Sequence, residues 1–278
     1  MMVDKIETMR GSVIQHGEHN DRIYLMHLQS EDAGDLIDDL DRLAAEKGYG
    51  KIFAKIPATH WHSFKDAGYV EEALIPGFFR GTTDGLFVGK FFHPERQSAH
   101  HSEALNLPVG VSTDKAPVED HMASITACTP VDADELSMLY RKTFSSYPFP
   151  IHQPTFLKRM MADNTAYLCI RCNAEIIAAA AAEFEPDSQT CEMTDFATKT
   201  SHQGEGLAGK LLFQLEATAR KKNVKTAYTI ARVDSYGMNW VFEKCGYRYA
   251  GRLVNNSQIG GRIRSMVVWY KHLFDAHT

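Results

Sequence analysis

Two neighbouring segments carry the residues best placed to do chemistry: Glu192-Met-Thr-Asp-Phe-Ala-Thr198 and Gln203-Gly-Glu-Gly-Leu-Ala208. The first reads as a strand bearing two carboxylates, the second as a loop with two glycines that opens a long helix. Amides at a helix N-terminus carry partial positive charge, and glycine lets an anion approach the backbone closely, so the loop is a candidate anion cradle. It lacks the Lys-Ser/Thr ending of a nucleotide P-loop and the three glycines of a dinucleotide loop. Two other clusters invite a metal or redox reading. Cys169 and Cys172 form a C-x-x-C in the strand-like run Tyr167–Cys172, where residues three apart face opposite ways. The pairs His60/His62 and His100/His101 have no compact set of carboxylates beside them on one element. No metal site is expected from either cluster.

The surrounding pattern supplies the elements that must position these residues. Helical spacing covers Asp132–Phe144, and Tyr147-Pro-Phe-Pro150 blocks its continuation. A short helix over Gln153–Met161 and three strands, Ala166–Arg171, Ile176–Phe184 and Cys191–Thr198, follow. Next come an amphipathic helix over Glu205–Lys222, a strand over Thr226–Ala231 and a helix over Met238–Lys244. Strands Tyr247–Leu253 and Ile263–Tyr270 close the chain, joined across Asn255–Gly261. This order predicts an α/β layer with a mixed sheet.

The N-terminal part repeats the second half of that order: strand Ile23–Leu28, helix Ala33–Lys47, strand Lys51–Ile56, helix Trp61–Ala67, and strands Glu71–Pro76 and Gly85–Phe92. Phe64-Lys-Asp-Ala-Gly-Tyr69 echoes Phe242-Glu-Lys-Cys-Gly-Tyr247, which points to a degenerate internal duplication. Between the parts lies a Pro-, His- and Ser-containing stretch without period. The expected organisation is an N-terminal domain over 1–93, a linker over 94–123 and a second domain over 124–278.

The 278 residues suit two domains and carry a net charge of −5, so no global basic field for nucleic acid exists. Apolar runs are too short for a membrane helix, and an odd, sparse set of five cysteines reads as reduced and cytoplasmic. An oligomer is compatible with the sequence.

The element order, Gln203–Ala208 and Asn239-Trp-Val-Phe-Glu-Lys-Cys-Gly-Tyr247 together resemble the GNAT superfamily of acyl-CoA-dependent N-acyltransferases across Ser124–Lys271. The resemblance implies the GNAT fold, a mixed, mostly antiparallel sheet with helices on both faces, here preceded by a degenerate half-GNAT-like α/β domain. It implies acetyl-CoA as co-substrate, with no tightly bound cofactor. The pantetheine arm would lie along Phe196, Ala197 and Thr198. The diphosphate would sit on Gln203, Gly204, Glu205, Gly206, Leu207 and Ala208, and Asn239 would reach the cofactor from the later helix. The degenerate first half, Tyr147–Ile151 and Glu192–Ala197 further resemble the β-lysine N-acetyltransferase family, implying transfer of acetyl to the side-chain amine of β-lysine to give a compatible solute. Alternatives from the same reading are a GNAT enzyme acting on a polyamine, lysine or protein lysine, and a non-catalytic acyl-CoA-binding module.

An amine of pKa ~10.4 is protonated at neutral pH, so a carboxylate is needed to take its proton. By resemblance Glu192 holds the position of the family's base. Asp195 would face away from it unless a bulge intervenes, and is assigned to holding the ammonium. Tyr147 and Phe149 are candidates for the path of the acceptor's methylenes, and Arg141 or Arg159 for its carboxylate. Phe242 stands where many family members have the tyrosine that protonates the leaving thiolate. Tyr236 and Tyr247 are the available substitutes, and the general acid stays unassigned. Leu28-Gln-Ser-Glu-Asp32, at the equivalent place in the first half, has no glycine pair, so one cofactor site is expected. The first domain would shape the acceptor cleft, pair the two sheets or only stabilise the fold.

Overall fold

The structure, a computed structural model, describes residues 4–29, 33–98 and 124–274. Three strands open it: β1 (Lys5–Met9), β2 (Ser12–Gly17) and β3 (Arg22–His27). Then come α1 (Ala33–Lys47), β4 (Lys51–Pro57), α2 (Trp61–Asp66), β5 (Val70–Phe79), β6 (Thr83–Phe91) and a single helical turn, α3 (Pro94–Gln97). The second half begins with β7 (Ile125–Ala127), α4 (Ala133–Thr143) and α5 (Pro154–Ala162). It continues with β8 (Thr165–Cys172), β9 (Glu175–Glu185), β10 (Thr190–Thr198), α6 (Leu207–Lys221) and β11 (Thr226–Arg232). Helix α7 (Tyr236–Lys244) and the hairpin β12 (Arg248–Ile259) and β13 (Arg262–His272) complete it.

All 13 strands form one sheet, ordered β1-β2-β3-β4-β6-β5-β12-β13-β11-β10-β9-β8-β7. Read outward-in from either end, with β7 set aside, the two halves have the same strand order. Each also has one parallel pair at the same place, β3 with β4 and β10 with β11. The equivalent strands β5 and β12 meet antiparallel at the centre, where Ala73 opposes Gly251. A Cβ on Gly251 would lie 2.2 Å from the Glu72 carbonyl oxygen, so only glycine permits this approach. Beside it Lys51 Nζ lies 2.7 Å from the Glu72 carboxylate and donates to the Val254 carbonyl at 2.8 Å. Burial pushes the Lys51 ammonium down to about 8, against the pull of Glu72. The seam is thus a buried, fully bonded ion pair, which breaks at high cost when one partner is removed.

Helical spacing explains the layers. Leu207, Leu211, Leu212, Leu215 and Ala219 of α6 fall on one face and are buried on the sheet. The run Ala178–Ala182 alternates on β9: Ala178, Ala180 and Ala182 face the α6 core, and Ala179 and Ala181 face α4 and α5. Small side chains let this strand pack under helices on both sides. Helix α1 covers the N-terminal half with its own core. A fourth core is built from both halves, with Tyr24, Phe53, Phe78 and Phe87 against Tyr228, Leu253 and Val268.

Four expectations change. Strands β1, β2 and β7 exist where no strand was expected, because the first two interleave charged and polar side chains with apolar ones and the third is only three residues long. The stretch 254–259, expected as a loop, continues β12 past a bulge, and the turn is only Gly260–Gly261. Helix α6 begins at Leu207 and not at Glu205, because Gly206 is left-handed with φ 74°. Residues 94–98, expected as linker, are docked. Arg96 donates to Asp21 at 2.8 Å and to the Asn20 carbonyl at 2.7 Å, while Asn255 Nδ2 donates to the Arg96 and Ser98 carbonyls. The rest of the expected linker and residues 30–32 of the Leu28–Asp32 loop lie outside the described residues.

Candidate active site

The ladder between β10 and β11 runs through three pairs only, Thr190 with Thr226, Cys191 with Ala227 and Glu192 with Tyr228. Beyond Glu192 the strands part. On its other edge β10 stays paired with β9, but the register slips between Thr194 and Ala197. Asp195, with φ 56°, is the bulged residue. The bulge turns its carboxylate to the side on which Glu192 stands, which a regular strand forbids. Both line a cleft of about 1810 Å³ that runs from the gap between β10 and β11 to the inner face of the N-terminal sheet.

Four carboxylates meet there: Glu183, Glu185, Glu192 and Asp195. Glu183 lies directly across the strand pair from Glu192. Burial, with Asp195 and Glu192 nearby, pushes Glu183 well above the usual carboxylate range. Burial raises Glu192 to about 7 against the lowering pull of Lys55 and Tyr228. Burial likewise raises Asp195 to about 6, although Tyr147 and Tyr167 hydrogen-bond its ionised form. The Tyr147 hydroxyl donates to Oδ1 at 2.8 Å and the Tyr167 hydroxyl, at a longer 3.3 Å, to Oδ2. Asp195 is therefore held in place by two phenols, whereas Glu192, half-buried at the gap, keeps a face open to the cleft.

Lys55, on β4 of the N-terminal half, reaches into this cluster. Its ammonium pairs with Glu185 and donates to the Tyr228 hydroxyl at 2.9 Å. Burial disfavours the ammonium, but Glu185, Tyr24 and Glu192 outweigh it and hold Lys55 above the ordinary lysine value. Arg22, Tyr24, Met26 and Phe53 of the same half line the cleft beside it. The first half therefore both pairs the sheets and walls the cleft. These residues were missed because their position depends on the seam between the halves. One signal was present: Lys51 and Lys55 sit in an otherwise apolar strand, and a buried lysine needs an acid partner.

The residues expected at the cofactor divide. Gln203, Gly204, Glu205, Gly206, Leu207 and Ala208 line the cleft where α6 begins. The first-turn amides of α6 have no intrahelical acceptor. Gly204 and Gly206 have φ 86° and 74°, while a Cβ at either would meet nothing within 4 Å. Glycine is needed there for backbone conformation, not for space. Phe196 and Thr198 line the gap, and the Ala197 side chain turns into the α4/α5 core. Asn239 does not reach the cleft. Its Nδ2 donates to the Arg232 and Val233 carbonyls at 3.0 and 3.2 Å, and Oδ1 accepts from Trp269 Nε1 at 3.1 Å. It fastens α7 to β11 and β13, and every polar atom of its side chain is used.

Tyr147 and Phe149 line the cleft, and the Tyr147 hydroxyl serves Asp195. Arg141 is exposed and donates to the His152 carbonyl, pinning the loop between α4 and α5. Arg159 is exposed over the Phe156 ring. Neither lines the cleft. Phe242 is buried between Phe196 and Tyr247. Tyr247 belongs to the α6 core, which leaves Tyr236, 45% exposed at the start of α7, as the phenol of the two that faces the cleft. Cys169 is buried and Cys172 exposed, on opposite faces of β8. No helix among the described residues is long and apolar enough to cross a membrane.

A strand pair that opens beside a half-buried carboxylate, with an amide-rich helix start at the far end of the opening, can bind an acyl thioester and take a proton from an amine. Residues 133–247 match the family model described as "Acetyltransferase (GNAT) family". Over 273 residues the chain is 36% identical to a β-lysine N(6)-acetyltransferase of Methanococcus maripaludis, covering 97% of this chain and 99% of the relative. N-acetyltransferase YodP of Bacillus subtilis is 27% identical over 94% of this chain and 96% of its own length. A β-lysine N(6)-acetyltransferase of Methanosarcina mazei is 25% identical over 84% and 95%. The chain belongs to the GNAT family and is an acetyl-CoA-dependent N-acetyltransferase.

Proposed function

We propose that the enzyme transfers the acetyl group of acetyl-CoA to the N6 amine of β-lysine in the cytoplasm, giving N6-acetyl-β-lysine, a compatible solute. The observation that carries this reading is the 36% identity to the M. maripaludis enzyme across both halves, when both halves wall the acceptor cleft. In this reading residues 124–278 form the catalytic unit, with thioester and base, and residues 1–93 supply the acceptor wall.

The amine of β-lysine arrives as an ammonium. Passing its proton to a carboxylate at the usual 4.5 spans about 6 pK units, or about 8 kcal/mol. With Glu192 raised to about 7, the gap narrows to about 3.4 units, or about 4.6 kcal/mol. Glu192 takes the proton, directly or through a water. The amine nitrogen then bonds to the thioester carbonyl carbon, the carbon–sulfur bond breaks, and CoA leaves as a thiolate that takes up the second proton the acylated nitrogen must lose. Gln203–Ala208 hold the diphosphate and Phe196–Thr198 the pantetheine arm. Asp195, fixed by Tyr147 and Tyr167, attracts the ammonium before it is deprotonated. Tyr236 is the phenol available to return a proton to sulfur, and a thiol of pKa ~8.5 is a tolerable leaving group without it.

The four carboxylates favour a second reading, a polyamine acceptor whose several ammonium groups they would match. An acetyl-CoA turnover screen over β-lysine, lysine, spermidine and lysine peptides decides between them. Highest kcat/KM for β-lysine, with the product acetylated at N6, supports the first reading, and highest kcat/KM for spermidine overturns it.

A further inference from the structure

The arginines expected to anchor the acceptor's carboxylate face away from the cleft, yet the cleft holds another. Arg22 on β3 is 3% exposed and lines the cleft. Its guanidinium lies over the rings of Tyr24 and Phe53, 5.3 and 5.8 Å from their centroids. Nη1 donates to the Asn256 carbonyl at 2.5 Å and to the Ser257 hydroxyl at 2.8 Å. The Nε proton is buried and has no acceptor. Among the described residues no carboxylate lies within ion-pair distance of it. The other cations of the acceptor side are spoken for: Lys55 by Glu185, and Arg171 by Asp132 and Glu135.

Asn256, which holds Arg22 through its carbonyl, has a second orphan. It is 1% exposed and lines the cleft, and its side-chain Oδ1 is buried without a partner. Buried polar atoms are nearly always bonded, so an unpaired cationic donor beside an unpaired acceptor calls for a ligand with the opposite pair. An amino-acid head, a carboxylate next to an ammonium, is that pair.

We propose that Arg22 and Asn256 form a subsite for the zwitterionic head of the acceptor, Arg22 binding its carboxylate and Asn256 its neighbouring ammonium. The inference rests on the β-lysine reading above. β-Lysine carries a carboxylate at C1, an amine at C3 and the reacting amine at C6, so head and reacting end lie at opposite ends of the chain. The cleft wall carries both signs, with Arg22 on β3 and the carboxylates around Glu192 on β9 and β10. Burial lowers Arg22 to about 10, which leaves it charged at neutral pH. Such a site rejects an acceptor that lacks the carboxylate, because the guanidinium is then left buried and unpaired.

The test measures kcat/KM for three acceptors in the wild-type enzyme, Arg22→Gln and Arg22→Lys. They are β-lysine, 6-aminohexanoate, which lacks the C3 amine, and pentane-1,4-diamine, which lacks the carboxylate. Arg22→Gln should lose about 30-fold or more on the two carboxylates and under about 3-fold on the diamine. Arg22→Lys should regain part of the loss on the carboxylates alone. An equal loss on all three acceptors would mean that Arg22 only braces Asn256 and Ser257, and overturns the subsite while the substrate reading stands. If Arg22→Gln is too unstable to assay, the comparison is made with Asn256→Ala, which should lose affinity for β-lysine and not for 6-aminohexanoate. An equal loss on both overturns the subsite in the same way. Wild-type preference for spermidine over β-lysine overturns the substrate reading and this inference with it.

Discussion

The two halves build the same sheet and put different side chains at its equivalent rungs. Each parallel ladder has a third rung: Glu192 with Tyr228 in the C-terminal half, Tyr24 with Phe53 in the N-terminal half. In the first, β10 leaves its neighbour after that rung, a bulge follows at Asp195, and a left-handed glycine opens α6. In the second, the ladder goes on to Leu25 with Ala54. Tyr24 and Phe53 stack with centroids 4.8 Å apart and form part of the cleft wall. The N-terminal half thus keeps the scaffold and places an aromatic pair where the other half places Glu192. The equivalent strands β5 and β12 join the halves, so the face carrying the aromatic pair continues into the face carrying Glu192. The N-terminal half becomes one side of the cleft that holds Glu192.

Exchanging the function of the two rungs gives the largest expected effect. Glu192→Gln keeps size and removes basicity, so kcat should fall about 100-fold or more while acetyl-CoA affinity holds. Tyr24→Phe, at the equivalent rung, should change kcat under about 3-fold. The Glu192→Gln deficit should shrink toward pH 9, where more free amine is present. Rate–pH profiles that are flat and wild-type-like for Glu192→Gln from pH 6 to 9 would remove it from the base position.

The second difference between the halves is the glycine loop. Gly206→Val puts a β-branched residue at φ 74°, where it strains the backbone that presents the helix-start amides. Acetyl-CoA Kd measured by calorimetry should rise about 10-fold. A folded variant with unchanged affinity would take the loop out of the cofactor site. Asn239→Ala should do the reverse. It deletes three buried hydrogen bonds at a cost of about 2 kcal/mol, lowering Tm by about 6 °C, with KM for acetyl-CoA unchanged. A raised KM at unaltered Tm would restore Asn239 to the cofactor.

These outcomes mark what the chain reveals before it folds. Apart from β7, the strands and helices of the C-terminal half were readable because α6 keeps its leucines at helical spacing and β9 contains the unbroken apolar run Ile176–Ala182. The loop of Gly204 and Gly206 was readable because its chemistry is local. Strands β1 and β2 were not, since Lys5–Met9 and Ser12–Gly17 mix charge into their alternation and are fixed by pairing with β3. Arg22, Lys55 and Glu185 were not, because they meet only after β5 finds β12, a contact distant in sequence. Asn239 shows the opposite failure. Its motif was legible, but its amide is consumed by Arg232, Val233 and Trp269, which a motif does not reveal.

The smallest effect concerns the cost of keeping a base in a buried cluster. Glu192 and Asp195 have folded pKa values of about 7 and about 6, above the unfolded values of ~4.3 and ~3.9. A raised folded pKa means that the fold prefers the protonated group. The stabilising contribution is present below pH ~4 and is lost as pH rises through 6 and 7. The C-terminal half therefore loses stability over the range where Glu192 ionises, and the third rung of the N-terminal half, Tyr24 with Phe53, has no carboxylate to impose such a loss. Glu192→Gln should leave Tm near wild type at pH 4.5 and raise it by about 2–4 °C at pH 8, as thermal melts across pH 4.5–8 would measure. If Glu192→Gln instead lowers Tm at pH 8 and not at pH 4.5, then the hydrogen bond from Tyr228 and the charge of nearby Lys55 favour ionised Glu192 by more than burial disfavours it. Its pKa then lies below the neutral range, and the matching of base to amine would fail with it.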